Sequence, residues 1–212
     1  MRVVVTRRRE QAGGLVERLE AIGHEVVVCP LIEIVPLGEG PVDVRGYDWL
    51  VVTSANGAAE LRRRGTTGPL PRVAAIGPAT AATLEAGGVR VELVPAAATQ
   101  DGILAELPRP AGRVLLAAAE GARRLLVDEL GAELLPLYRT REVRPAKRPS
   151  GDLVVLASGS QARALAGLGL ELPVVSIGPQ TTAVARELGL RVVAEADSHD
   201  LDGLIAAVER AG

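Results

Sequence analysis

Four short segments place hydroxyls where a strand gives way to a helix: Thr53-Ser54-Ala55-Asn56, Gly77-Pro78-Ala79-Thr80, Ser158-Gly159-Ser160 and Gly178-Pro179-Gln180-Thr181. Beyond the carboxyl end of a parallel strand, the free N–H groups of the next helix point at whatever binds there, and an anion suits them. The same residue types are also ordinary helix caps, worth about 1 kcal/mol each, so none of the four identifies a site alone. Tyr138 stands apart. It ends the apolar run Leu134-Leu135-Pro136-Leu137 just before the polar Arg139-Thr140-Arg141-Glu142, where an aromatic has no periodic core role. A phenol there can donate a proton or a hydrogen bond to a leaving oxygen; packing against the following linker is the plain alternative. Arg7-Arg8-Arg9 and Arg62-Arg63-Arg64 read as solvated helix ends, although the first also follows a strand and can reach a carboxylate.

Other chemistries have little to stand on. His24 follows the helix-ending Gly23, and His199 sits in the polar run Asp197-Ser198-His199-Asp200, so both read as solvated. Cys29 closes the run Val26-Val27-Val28 as a buried small hydrophobe, and as the only cysteine it makes no internal disulfide. No Cys/His spacing suits zinc, and neither G-x-G-x-x-G nor G-x-x-x-x-G-K-[ST] occurs, so metal and nucleotide binding have little support. The 24 basic residues include a single lysine, Lys147, against 26 acidic residues, and the aromatics are Trp49, Tyr47 and Tyr138. That balance, without stacking platforms, excludes a general nucleic-acid binder. The N-terminus reads as a strand rather than a signal peptide, and no apolar stretch approaches the roughly 20 residues that span a bilayer. A cytoplasmic protein without membrane partners is expected.

The elements that must position these groups are those of an α/β protein. β-branched runs predict strands near 2–6, 25–29, 48–53, 72–76, 90–94, 113–118, 133–137, 152–157, 173–177 and 191–195, with helices between them. Ten strands suit two sheets of five better than one sheet. An internal repeat agrees: Ala75-Ile76-Gly77-Pro78-Ala79-Thr80 recurs 101 residues later as Ser176-Ile177-Gly178-Pro179-Gln180-Thr181, and Asp101-Gly102-Ile103-Leu104 recurs as Asp202-Gly203-Leu204-Ile205. Upstream, Ser54-Ala55-Asn56-Gly57 meets Ser158-Gly159-Ser160-Gln161. Two similar α/β domains follow. They divide either at Leu107–Gly112, as sequential halves, or at 36–41 and 144–151, which would assemble one domain from both ends of the chain.

The ordered motifs Thr6-Arg7, Pro30-Leu31-Ile32-Glu33-Ile34, Thr53-Ser54-Ala55-Asn56-Gly57-Ala58, Ile76-Gly77-Pro78-Ala79-Thr80, Tyr138-Arg139-Thr140 and Ile177-Gly178-Pro179-Gln180-Thr181 resemble the uroporphyrinogen-III synthase family over essentially the whole chain. The resemblance implies two flavodoxin-like domains with parallel five-stranded sheets, joined by a two-stranded linker with interleaved connectivity. Residues 1–35 plus 146–212 would form one domain and 42–137 the other, with 36–41 and 138–145 as linkers. It implies a lyase that closes hydroxymethylbilane, a linear tetrapyrrole with eight carboxylates, to uroporphyrinogen III in an interdomain cleft. The last pyrrole ring is inverted through a spiro intermediate, water is lost, and no cofactor or metal takes part. Carried over by position, Tyr138 is the expected general acid, and Thr6, Arg7, Ser54, Thr80, Ser158 and Thr181 are the expected substrate-binding residues. Ala157 stands where the family often has Thr, which leaves that turn its backbone N–H groups. The partners implied are the substrate, for a monomer, and a transient contact with hydroxymethylbilane synthase. The alternative is a two-domain protein that binds a small anion in its cleft without catalysis.

Overall fold

The computed structural model describes all 212 residues. In chain order the elements are β1 (Arg2–Val5), α1 (Arg9–Ala21), β2 (Glu25–Val28), β3 (Ile32–Pro36), β4 (Val42–Asp43), β5 (Trp49–Val52), α2 (Ala55–Arg64), β6 (Thr66–Thr67), β7 (Arg72–Ala75) and α3 (Pro78–Glu85). There follow α4 (Gln100–Glu106), β8 (Val114–Ala119), α5 (Leu125–Leu130), β9 (Glu133–Glu142), β10 (Leu153–Leu156), α6 (Gly159–Ala166), β11 (Val174–Ser176), α7 (Pro179–Glu187), β12 (Val192–Glu195) and α8 (Leu201–Ala211). They group into two compact units, Met1–Glu33 with Arg141–Gly212, and Ile34–Thr140.

The first unit holds a sheet in the order β12-β11-β10-β1-β2, every neighbouring pair parallel. Its central strands are continuous apolar runs because helices cover both faces. Val3 and Val5 point into a core with Leu15 and Leu19 of α1 and Leu204 and Val208 of α8. Val4, on the opposite face, packs with Ala162 and Leu165 of α6 and Ala185 of α7. The alternation is the period of two that a strand imposes on its side chains.

The second unit repeats this plan with the order β3-β9-β8-β5-β7. β5 pairs in parallel with β7 and β8, and β8 pairs in parallel with β9. Leu50 and Val52 pack with Ala58 and Leu61 of α2 and Ala81 and Leu84 of α3. Trp49 and Val51 face Ile103 of α4 and Leu126 of α5. A fifth strand is expected at 90–94, but that segment forms only an isolated bridge between Leu93 and Ala74. The fifth strand is instead β3, which the strand pattern overlooks, at the opposite edge of the sheet beside β9, and β4 with β6 forms a separate two-residue pair.

The repeated Asp-Gly motif has a steric cause. A Cβ on Gly102 would run into the Ala97 carbonyl, and one on Gly203 into the Ser198 carbonyl. Each glycine donates its N–H to the helix cap, Thr99 Oγ1 at 3.0 Å in one unit and Asp200 Oδ1 at 2.8 Å in the other. The repeat in sequence is thus a repeat of tightly packed helix starts.

Candidate active site

The four hydroxyl-bearing turns lie where expected, each between a strand's carboxyl end and a helix. Ser54 caps α2, in extended backbone, and accepts the Gly57 N–H at 3.0 Å. Ser158 caps α6 in nearly the same conformation and accepts the Gln161 N–H at 3.3 Å. Gly77 and Gly178 precede α3 and α7, whose first residues are Pro78 and Pro179; this sets Thr80 and Thr181 at the third helical position, 3% and 5% exposed.

Tyr138 does not end its strand. β9 continues through it to Glu142, because the chain keeps pairing beyond the apolar run. The register on β8 shifts there: Ala118 faces Pro136, and Ala119 faces Tyr138 rather than Leu137. Pro136 has no N–H to give the ladder, and the extra residue that follows it forms a bulge. By strict alternation Leu137 and Tyr138 would face opposite sides of the sheet. The bulge places both in the core that α2 covers, so a buried Tyr138, 6% exposed, meets the start of that helix. Its hydroxyl lies 2.9 Å from Ser54 Oγ. One bulge and one helix cap thereby bring together two residues 84 positions apart.

The equivalent turn of the other unit is closed on itself. Ser158 Oγ lies 2.9 Å from Ser160 Oγ. Gln161, 4% exposed, accepts the Ala157 N–H at 2.7 Å and lies 3.0 Å from Thr6 Oγ1. The expectation that backbone N–H groups stay available at this turn is therefore corrected for Ala157. Thr6 is wholly buried, and its hydroxyl donates to the Val155 carbonyl at 2.7 Å, tying β1 to β10. Gln161 escapes motif reading because its repeat partner is Gly57; a buried polar residue standing where the duplicate has glycine is the signal that could have found it.

Arg7 is half buried at the end of β1, and desolvation alone pushes its guanidinium below the ordinary arginine range, with no carboxylate among the causes. Arg63 and Arg64 differ from their expected role as solvated ends. Arg63 donates to the Gly38 carbonyl at 2.9 Å and pairs with Glu39 and Glu60, while Arg64 donates to the carbonyls of Leu37 and Gly40 at 3.0 and 2.7 Å. The end of α2 thus holds the segment that follows β3. Cys29 is 8% exposed and burial pushes its thiol up, as a small core hydrophobe requires. His199 is exposed, with its ring over Gly178, where a Cβ would collide with it. No helix is long and apolar enough to cross a membrane.

Parallel strands flanked by helices, with caps, hydroxyls and a half-buried arginine at the strand ends, define an α/β protein of the class whose helix N-termini suit anions. The family model described as uroporphyrinogen-III synthase HemD matches residues 14–206, and the chain belongs to that family of cyclising lyases. It is 26% identical over 250 residues to the uroporphyrinogen-III synthase of Synechococcus elongatus, covering 98% of this chain and 94% of that one. Among solved structures, uroporphyrinogen-III synthetase from Helicobacter pylori has a TM-score of 0.68 at 18% identity, covering 99% of each chain. A mutant uroporphyrinogen III synthase from the extreme thermophile Thermus thermophilus has a TM-score of 0.67 at 17% identity, covering 100% of this chain and 98% of that one. Both share its α/β fold.

Proposed function

We propose that the chain converts hydroxymethylbilane to uroporphyrinogen III, with Tyr138 as general acid and Arg7, Ser54, Thr80, Ser158 and Thr181 at the helix starts and strand ends that bind substrate. The observation that carries this reading is the buried Tyr138 phenol, 2.9 Å from Ser54 Oγ at the start of α2. The chemistry asks little else of the protein. The nitrogen of the pyrrole that bears the hydroxymethyl group expels the terminal hydroxyl, the phenol protonates it to water, and the substituted carbon of the last ring attacks the resulting azafulvenium at its exocyclic methylene. The spiro product fragments and recloses with that ring inverted. Closure without the spiro step gives the other isomer, so the site must hold the chain ends in the geometry that favours the spiro route.

Binding falls to groups that suit carboxylates. Arg7 offers an unbalanced, partly desolvated guanidinium, whose charge a substrate carboxylate would offset. Thr80 and Thr181 stand in the first turns of α3 and α7, and the turns of Ser54 and Ser158 present helix starts. Thr6, its hydroxyl engaged inside the unit, supports this edge by fixing β1 against β10. The two units we read as flavodoxin-like domains, and β3 and β9, along which the chain passes from one unit to the other, as the two-stranded linker.

The test supplies hydroxymethylbilane from an independent source, oxidises the products and separates uroporphyrin isomers I and III beside a no-enzyme control. Predominant isomer III is expected. Isomer I alone at the control rate, from folded protein, would overturn the reading in favour of a binding protein without catalysis.

A further inference from the structure

Ser54 Oγ stands between two groups. Gly57 N–H donates to it at 3.0 Å, and the Tyr138 hydroxyl lies 2.9 Å away. A serine hydroxyl has one proton and two lone pairs, so with Gly57 on one lone pair it can still either donate to the phenol or accept from it. A phenol that gives its proton to a departing hydroxyl cannot also give it to Ser54. In the productive arrangement, therefore, the serine is the donor.

We infer that Ser54 is the positioning residue of Tyr138: its hydroxyl donates to the phenol oxygen, turns the phenol proton toward the leaving group and holds the phenolate after transfer. The inference rests on the reading of Tyr138 as general acid. It deepens that reading by giving the Ser54 hydroxyl a partner in the protein rather than in the substrate. The chain of donors runs from Gly57 N–H through Ser54 O–H to Tyr138 O–H. It begins in the first turn of α2, where the helix favours negative charge and each bond polarises the next. In the step served, the carbon–oxygen bond of the hydroxymethyl group breaks and its electron pair leaves with oxygen. The phenol proton completes the water, and the pyrrole lone pair forms the azafulvenium double bond. When the macrocycle recloses, one ring carbon loses its proton, and the phenolate recovers one. The other unit lacks this device: the neighbour of Ser158 Oγ is Ser160, a second serine at the start of the same helix.

The experiment measures saturation kinetics with hydroxymethylbilane for the full chain and for Ser54→Ala, Ser54→Thr, Tyr138→Phe and the double variant S54A/Y138F, with thermal melts to establish folding. S54A is expected to lower kcat about tenfold at nearly constant KM, the worth of one hydrogen bond to a charged oxygen. Threonine keeps both the cap and the donor, so S54T recovers the parent kcat. In Y138F the S54A change is expected to cost nothing further, because its route of action is gone. A role as helix cap alone would let the two losses multiply, and a hydroxyl that touches substrate would raise KM with kcat intact; either result overturns the inference. Full turnover in Y138F would instead remove the general acid on which it rests.

Discussion

The turns that start α2 and α6 occupy equivalent places in the repeat, have matching extended caps and bind the same helix N–H, yet their serines face different neighbours. Ser54 meets a phenol brought from β9, whereas Ser158 meets Ser160 and sits over a glutamine that fills the turn from within. The strands that flank them differ likewise. β8 and β9 shift register beside Pro136, but β1 and β2 stay in register from Arg2 to Val5. Duplication supplied two copies of a helix start fit for anions. A bulge in one copy added a phenol, and a Gln in the place of Gly57 takes up the Ala157 N–H in the other. Under the proposed function, proton transfer falls to the turn at Ser54 and binding to the turn at Ser158.

The largest expected effect comes from removing the phenol. Tyr138→Phe should lower kcat about a hundredfold, within the range of general acid catalysis, and leave KM nearly unchanged, as measured by product formation at saturating substrate. A next, structural contrast lies in Gln161. Gln161→Leu removes the acceptor of the Ala157 N–H and a neighbour of Thr6, so urea denaturation should show a loss of about 1–3 kcal/mol. No such vulnerability exists at Gly57. If Q161L proves neutral, the closed turn is not held from within.

The smallest effect separates the two Asp-Gly helix starts. The Asp200 carboxyl is held below the usual carboxylate range, first by the Gly203 N–H and then by the Ser198 hydroxyl. Its folded value is the lower one, so its contribution is complete above the unfolded value and is lost as pH falls below about 4 through the folded one. Thr99, the cap of α4, does not titrate. Protection from amide exchange, taken relative to the intrinsic rate at each pH, should therefore fall at Gly203 but not at Gly102 as pH is lowered through that window. Equal responses would mean that the caps do not govern these helix starts.

Much of this was legible in residue types. Runs such as Val3-Val4-Val5 and Leu153–Leu156 announce buried parallel strands, and Gly-Pro and Asp-Gly pairs mark helix starts because their backbone and steric demands are local. What stayed hidden depends on partners far along the chain. The bulge beside Pro136 exists only against β8, so the direction of Tyr138 could not be read from its own strand. Arg63 and Arg64 look like solvated ends until the carbonyls of Leu37, Gly38 and Gly40 arrive from the segment after β3. Thr6 matches the family motif in position, but its burial follows from pairing with a strand 149 residues away.

The division of labour between the two turns is tested most directly by saturation kinetics of Ser54→Ala and Ser158→Ala, side by side in folded protein. S54A is expected to lower kcat and spare KM, and S158A to raise KM a few-fold and spare kcat. The same response from both serines, in either constant, would contradict that division.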